Sequence, residues 1–325
     1  MRKLFLLFIS ILFAAGSLYG LNMGEPVGGV ATALGGVVLD RDLGGFNVLY
    51  NPSMIAQVAS ERSYLDFSAS YAPTPFELPE IQNAAFGVSS GLNIGFMNVG
   101  MGLGAKMLFV TSGISEYNIN IVGAGYYPID VLFINGVAAG VGFKLNMFTV
   151  DDASLADLWN DITVSATGVD LDFDVTLKLF NDILSVGFMV SDILESKVSF
   201  FEGDVSTITK RGMIIHGKVA ILKDFHFFTA FNLSGEDKHI NRRNFTGSST
   251  GLANTYFGIE ASFFESLFVR VGVNEGQLSG GLGVVVEDLS VNVGVLPMPG
   301  LSLYYQVDIS YRLGFGKRSS VGYDD

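Results

Sequence analysis

From residue 301 to residue 315 the chain alternates without a break in its apolar positions. Leu301, Leu303, Tyr305, Val307, Ile309, Tyr311, Leu313 and Phe315 hold the odd places. Ser302, Gln306, Asp308, Ser310, Arg312 and Gly314 hold the even ones, with Tyr304 the exception. A period of two means a β-strand with one apolar and one polar face. The run is also longer than the ~9–11 residues a tilted strand needs to cross a bilayer. Walking backwards, the same pattern predicts strands at 289–296, 278–286, 267–273, 254–263, 225–234, 212–221, 184–191, 164–180, 133–149, 117–127, 101–110, 83–97 and 63–71. That makes fourteen, and an even number lets a single-chain barrel close with both ends on one side.

The connections sort into two classes. Alternate links are short: 98–100, 128–132, 181–183, 223–224, 265–266 and 287–288. The intervening ones include 72–82, 150–163, 192–211 and 235–253. Transmembrane barrels have short periplasmic turns and longer external loops, so both chain ends fall on the periplasmic side. Twelve charges lie in these strands: Asp66, Lys106, Lys144, Asp170, Asp172, Asp174, Lys178, Lys218, Glu260, Arg270, Asp308 and Arg312. Each shares parity with Gly, Ser, Asn or Thr. A cation facing lipid at mid-depth costs about 2–4 kcal/mol, so a bilayer enforces this sorting.

Composition agrees. Only 16% of residues are charged, against about 25% in soluble domains. A soluble barrel would carry its charge outside, and fourteen strands enclose too wide a lumen for one layer of side chains to fill. Membrane helices fare no better. The uncharged run 81–105 holds six glycines and repeats every second residue, not every 3.6. The fold expected is all-β: a transmembrane antiparallel up-and-down barrel, with residues 61–315 forming the wall.

Residues 1–20 read as a secretory signal peptide: Arg2 and Lys3, an apolar run from Leu4 to Ala15, then Gly16, Ser17 and Gly20. The run is too short for a spanning helix. The chain has no cysteine, hence no disulfide framework and no lipoprotein acylation site. Net charge is −13, two units more negative without Arg2 and Lys3, which disfavours nucleic acid as a partner.

Between signal and first strand, residues 24–60 follow a different pattern. Gly28-Gly29-Val-Ala-Thr-Ala-Leu-Gly35-Gly36 is followed by Asp40 and then by Tyr50-Asn51-Pro52-Ser53. This resembles the N-terminal segment of FadL-type transporters and of the related PorV-like barrels, where a small-residue run precedes an acidic stretch and an Asn-Pro-Ala box. Ser53 departs from the usual Ala. Gly140-Val-Gly-Phe-Lys144, Gly258-Ile-Glu260, Val269-Arg270-Val-Gly272, Gly280-Gly-Leu-Gly283 and Ile309-Ser-Tyr-Arg312-Leu-Gly-Phe315 extend the resemblance over most of the chain. It implies that residues 21–60 form a plug inside the barrel. Gly28, Gly29, Asn51 and Pro52 would shape the plug and its substrate site, with Lys144, Asp170, Asp172, Asp174, Lys218, Glu260 and Arg270 lining the lumen. It also implies passive uptake of hydrophobic molecules such as long-chain fatty acids, without catalysis. A PorV-like role would instead use external loops such as 192–211 to dock secreted or assembly proteins, and a structural surface barrel would act through 235–253. Expected partners are outer-membrane lipid and lipopolysaccharide, the barrel-assembly machinery and a hydrophobic ligand. Assembly signals of such barrels end on a terminal aromatic, whereas here Phe315 is followed by a tail, 316–325, assigned to the periplasm.

Other chemistry fails on inspection. Gly212 to Lys218 has P-loop spacing, but Val219 replaces the Ser/Thr that holds magnesium and the run reads as a strand. Asp170, Asp172 and Asp174 mimic a calcium loop, but Val175 stands where its glycine belongs. Three like charges on one strand face call for Lys144, Lys178 or cations to answer them. Of the three histidines, His216, His226 and His239, the first faces the lumen and the last falls in a loop with Lys238, Arg242 and Arg243, and the sequence has no Gly-x-Ser-x-Gly elbow. Trp159 is expected to anchor an external helix at the membrane interface. No cofactor, metal or enzymatic activity is expected.

Overall fold

The computed structural model describes residues 28–60, 63–72, 81–110, 114–150, 164–194, 197–201, 204–207, 211–233, 255–274, 277–297 and 303–315. Fourteen strands close into one antiparallel barrel. They are β1 (Ser63–Ala72), β2 (Ile81–Asn93), β3 (Asn98–Val110), β4 (Ile114–Val131), β5 (Ile134–Val150), β6 (Val164–Leu179), β7 (Leu184–Ser191), β10 (Gly212–Leu222), β11 (Phe225–Asn232), β12 (Thr255–Phe263), β13 (Leu267–Asn274), β14 (Gln277–Val286), β15 (Leu289–Pro297) and β16 (Leu303–Phe315). Sequence neighbours pair around the wall, β7 pairs with β10, and β1 closes on β16. Closure removes every free edge, which a bilayer demands of a spanning sheet.

Register keeps the two faces chemically separate. Asp66 sits opposite Arg312, and Phe67 opposite Tyr311. Along β1, Tyr64, Asp66, Ser68 and Ser70 are buried, while Phe67 and Tyr71 are 39% and 48% exposed on the outside. The same holds around the ring: Ile121, Val141, Leu282 and Ile309 are exposed, whereas Asp170, Asp174, Glu260 and Arg270 are buried inside. A one-residue slip would exchange the faces, so the contrast between an apolar exterior and a polar interior fixes register.

The lumen is filled by the N-terminal segment. It carries α1 (Gly29–Ala33), a 3₁₀ turn (Gly44–Phe46), α2 (Asn47–Tyr50) and α3 (Pro52–Val58). α1 packs against β13 to β16 and α3 against β2 to β6, so the segment crosses the barrel. Leu34, Val38 and Phe46 join Phe228 and Ala230 of the wall in one apolar cluster, and Val48 and Ile55 join Tyr64 and Val122 in another.

Three expectations need correction. The link placed at 98–100 lies at 94–97: Gly95 takes a left-handed φ of 92° and its N–H donates to Asn93 Oδ1 at 2.9 Å. Glycine at positive φ outranked the Asn-Val-Gly signal. The turn placed at 128–132 is only 132–133, because β4 continues through Pro128 to Val131 across a register shift. Proline, lacking an N–H, is tolerated at such an irregularity. The link 192–211 contains a separate two-stranded sheet of β8 (Lys197–Phe201) and β9 (Asp204–Thr207). The signal segment, Trp159, His239 and the tail 316–325 lie outside the described residues.

Candidate functional site

Chemistry concentrates where the N-terminal segment meets the wall. Asn51 caps α3: its backbone is extended (φ −140°, ψ 95°), and its Oδ1 accepts from the Met54 N–H at 3.4 Å. Pro52 occupies the first helical position, where its missing N–H costs nothing. The Asn51 amide donates to the Leu39 carbonyl. From there a closed ring of contacts runs through the wall. Ser53 Oγ donates to Asn51 Oδ1 at 2.9 Å and lies 3.2 Å from Thr176 Oγ1. Thr176 donates to Asp174 at 3.4 Å, and Asp174 Oδ1 is 3.0 Å from His216 Nε2. His216 Nδ1 reaches Asp40 Oδ2 at 2.7 Å, beside Leu39 where the ring began. Ser185 adds a bond to Asp40 at 2.9 Å. Both ring nitrogens of His216 face a carboxylate, and a doubly protonated imidazole supplies a donor to each.

Arg41 and Asp42, the next two residues, make the other ties. Arg41 Nε lies 3.0 Å from Glu260, which is 2.6 Å from Arg270 Nε. Arg270 donates to Asn292 at 2.9 Å, Asn292 to Asp308 at 2.7 Å, and the Val30 N–H to Asp308 at 3.2 Å. Arg312 Nη2 holds Asp42 at 2.7 Å and Asp66 at 2.6 Å, above the Tyr64 ring. Three consecutive charges, Asp40, Arg41 and Asp42, thus reach β10, β12 and β16. Charges removed from water must be paired, and here each partner comes from a different part of the circumference.

Burial pushes the Asp42 carboxyl up, but the charges of Arg312 and Arg41 and the Gly44 N–H hold it down at about 2, against an ordinary 3.8. A carboxyl depressed by folding contributes stability above its unfolded value and loses it as pH falls through the folded one. Protection of residues 38–46 from protease should therefore be full at pH 5 and fall as pH is lowered from about 4 towards 2. Replacing Asp42 by Asn should remove that pH dependence.

Of the residues singled out from sequence, Gly28, Gly29, Asn51, Pro52, Asp174, Glu260 and Arg270 fall at this interface, Lys218 lies on the inward face of β10, and Lys144, Asp170 and Asp172 tie to the wall and to the start of the 192–211 link. Gly28 and Gly29 begin α1, where a Cβ on Gly29 would meet the Asn292 carbonyl at 2.7 Å. Gly140 abuts the Asn-Pro-Ser box, its Cβ position 2.5 Å from the Ser53 nitrogen. Lys144 pairs with Asp172 at 2.7 Å and Asp192 at 3.0 Å. Asp174 is answered by His216, and Asp170 by the Leu171 and Leu194 N–H groups, each at 2.9 Å. Among the described residues no cluster of His, Cys, Asp and Glu is arranged to hold a metal ion. Sequence reasoning gave no role to Arg41, Asp42 or Thr176. A charged triplet inside a Gly-rich, otherwise apolar segment was the available signal.

Two surfaces bound the segment. Towards the long links, Leu49 and Tyr50 stand with Ile214 and Tyr256, partly buried against the apolar core. Towards the short turns, a cavity of about 270 Å³ opens between the 3₁₀ turn and the ends of β15 and β16, bordered by Arg41, Asp42, Phe46, Glu287 and Arg312.

No protein-family model matches the sequence, and no curated protein matches it. Solved structures do. The chain is similar to the CymD monoaromatic hydrocarbon channel at 13% identity, covering 90% of this chain and 98% of that one, with a TM-score of 0.57. It is similar to the TodX deltaS2S3 mutant monoaromatic hydrocarbon channel at 10% identity, over 92% and 100%, with a TM-score of 0.55. A FadL homologue from Pseudomonas aeruginosa gives 11% identity, 90% and 99% coverage, and a TM-score of 0.54. At such identities the likeness is one of architecture: this chain has the closed fourteen-stranded fold of the FadL-type hydrophobic-compound channels.

Proposed function

We propose that this chain is an outer-membrane barrel that admits hydrophobic compounds, long-chain fatty acids among them, by passive passage through a plugged lumen. The observation that carries the reading is the apolar floor of Leu49, Tyr50, Ile214 and Tyr256, the partly buried margin that the apolar core between plug and wall leaves on the side of the long links. The plug covers most of the apolar surface inside the wall, and an apolar margin that it leaves partly open is a place for something apolar to rest. Residues 28–60 act as the plug, with Asn51 and Pro52 fixing its bend and Gly28 and Gly29 its approach to the wall. The shared fold supports the class of protein; the floor supports the class of cargo.

Titration of the purified barrel in neutral detergent with a fluorescent long-chain fatty acid should saturate at one site. Tyr256→Asp together with Leu49→Asp should weaken that binding by about tenfold or more, since each change puts a charge on the apolar floor. Uptake by cells lacking the protein should fall in parallel. Absence of saturable binding, with uptake unchanged, would remove the basis for a transport role and leave docking through the 192–211 link as the reading to pursue.

A further inference from the structure

Beyond Phe315, at the short-turn end of β16, the sequence continues Gly-Lys-Arg-Ser-Ser-Val-Gly-Tyr-Asp-Asp. Lys317 and Arg318 open this stretch, and Asp324 and Asp325 lie at its far end. The other adjacent basic pairs, Arg2-Lys3, Lys210-Arg211 and Arg242-Arg243, fall in the leading segment or in the long links. In a chain of net charge −13, a basic pair beside the short turns calls for a reason.

The rim next to β16 supplies one. The β14–β15 link consists of Glu287 and Asp288, and it is the one short link among the described residues with two acids and no cation. The Arg312 N–H donates to the Asp288 carbonyl at 2.9 Å, so this link lies beside Arg312, three residues before β16 ends. Glu287 is exposed, and no described cation pairs with it. Both acids border the cavity of about 270 Å³ between the 3₁₀ turn and the ends of β15 and β16. Behind them the cavity presents cations. The side chains of Arg41 and Arg312 are 24% and 27% exposed there. Among the described residues Arg41 is hydrogen-bonded only through Nε, to Glu260, which leaves its terminal N–H groups for whatever fills the cavity.

The order of charge in the tail is the complement of the order in the cavity: basic then acidic, against an acidic mouth and a cationic interior. Reach is sufficient, since an extended chain covers about 3.3–3.6 Å per residue, and Gly316 allows the reversal. A cavity of this size takes a short length of chain, not a folded partner. We infer that residues 316–325 fold back and dock in it, Lys317 and Arg318 against Glu287 and Asp288, and Asp324 and Asp325 against Arg41 and Arg312. The tail is then a strap on the short-turn side of the 3₁₀ turn. It grips the same two arginines that tie the N-terminal segment to β12 and β16. The inference goes beyond the transport reading and does not depend on it.

The chain has no cysteine, so pairs can be introduced into the full-length barrel in neutral detergent. Ser290→Cys, in the cavity lining, is combined with Tyr323→Cys. For comparison, Asn181→Cys, on the link between β6 and β7 across the barrel, is combined with Tyr323→Cys. With an added oxidant the first pair should close its disulfide at least about tenfold faster than the second, because docking raises the local concentration. Lys317→Glu with Arg318→Glu should slow that closure by about tenfold. Adding Glu287→Lys and Asp288→Lys to the reversed tail should restore it. Equal rates for the two pairs mean a tail that visits the whole rim, and overturn the inference. Fast closure that ignores the charge reversal overturns it too, because the contact would not rest on charge complementarity. Every variant must keep heat-modifiable migration; if Ser290→Cys loses it, Ser310→Cys in the same cavity takes its place, with the same outcomes.

Discussion

His216→Ala is expected to detach the N-terminal segment from the wall while the barrel stays closed. The imidazole is fully buried and stands between Asp40 at 2.7 Å and Asp174 at 3.0 Å, both themselves buried. Removing one partner of a buried ionic contact costs about 3–5 kcal/mol, because the remaining charges stay without compensation. Here two carboxylates are left at once. The wall does not depend on this contact, since β10 keeps its ladders to β7 and β11. The loss should therefore appear in the segment. Amide exchange at Val38 to Leu43 should accelerate by roughly 100- to 1000-fold, each factor of ten being about 1.4 kcal/mol. Heat-modifiable migration should persist. Ser53→Ala and Thr176→Val interrupt the same ring at neutral hydrogen bonds and should cost only about 1 kcal/mol each. If His216→Ala left exchange in the segment unchanged, the ring of contacts through the wall would not be what seats it.

The sequence exposed the wall but not the latch, for a physical reason. Alternation is a local property, set residue by residue by an apolar outer face and a polar inner one, so the inward placement of Asp170, Asp174, Glu260 and Arg270 could be read from parity alone. Pairing across the lumen is not local. Asp40 and His216 are separated by 176 positions, and nothing near either names the other. Lys144 could be matched to the aspartate row because β5 and β6 are adjacent, and it pairs with Asp172. Asp174, two residues further, turned out to belong to a histidine on β10. Turn positions failed for a different reason. At Asn98 the residue type favours a turn, but pairing with both neighbouring strands outweighs that local preference, and at Pro128 pairing with β5 does the same. The Asn-Pro-Ser box lies between these cases. Its helix-starting geometry is local, whereas the part Ser53 plays towards Thr176 depends on the closed barrel.

Gly87→Val should open the lumen, and the comparison with Gly123→Val isolates why. Gly87 on β2 and Gly45 in the 3₁₀ turn touch backbone to backbone: a Cβ on either would run into the carbonyl oxygen of the other. No flexible side chain stands between them to move aside. The whole turn must lift, taking with it the Gly45 N–H bond to Ser68 at 2.8 Å. Overpacking a well-fitted interior costs typically about 1–3 kcal/mol where side chains can adjust. With two main chains in contact the cost belongs at the top of that range or above it. Fourteen strands without their filling enclose a water-filled passage, so single-channel current in planar bilayers should rise clearly above that of the wild type. Gly123 lies on the outward face of β4 between Met101 and Val141, with open space at its Cβ position. Valine there extends the apolar belt and should leave conductance and stability unchanged. Equal currents from the two variants would mean that the filled lumen does not depend on the close approach of Gly45 to Gly87. A rise confined to Gly87→Val would show that the absence of a side chain at this point of the wall is what allows the segment to seat.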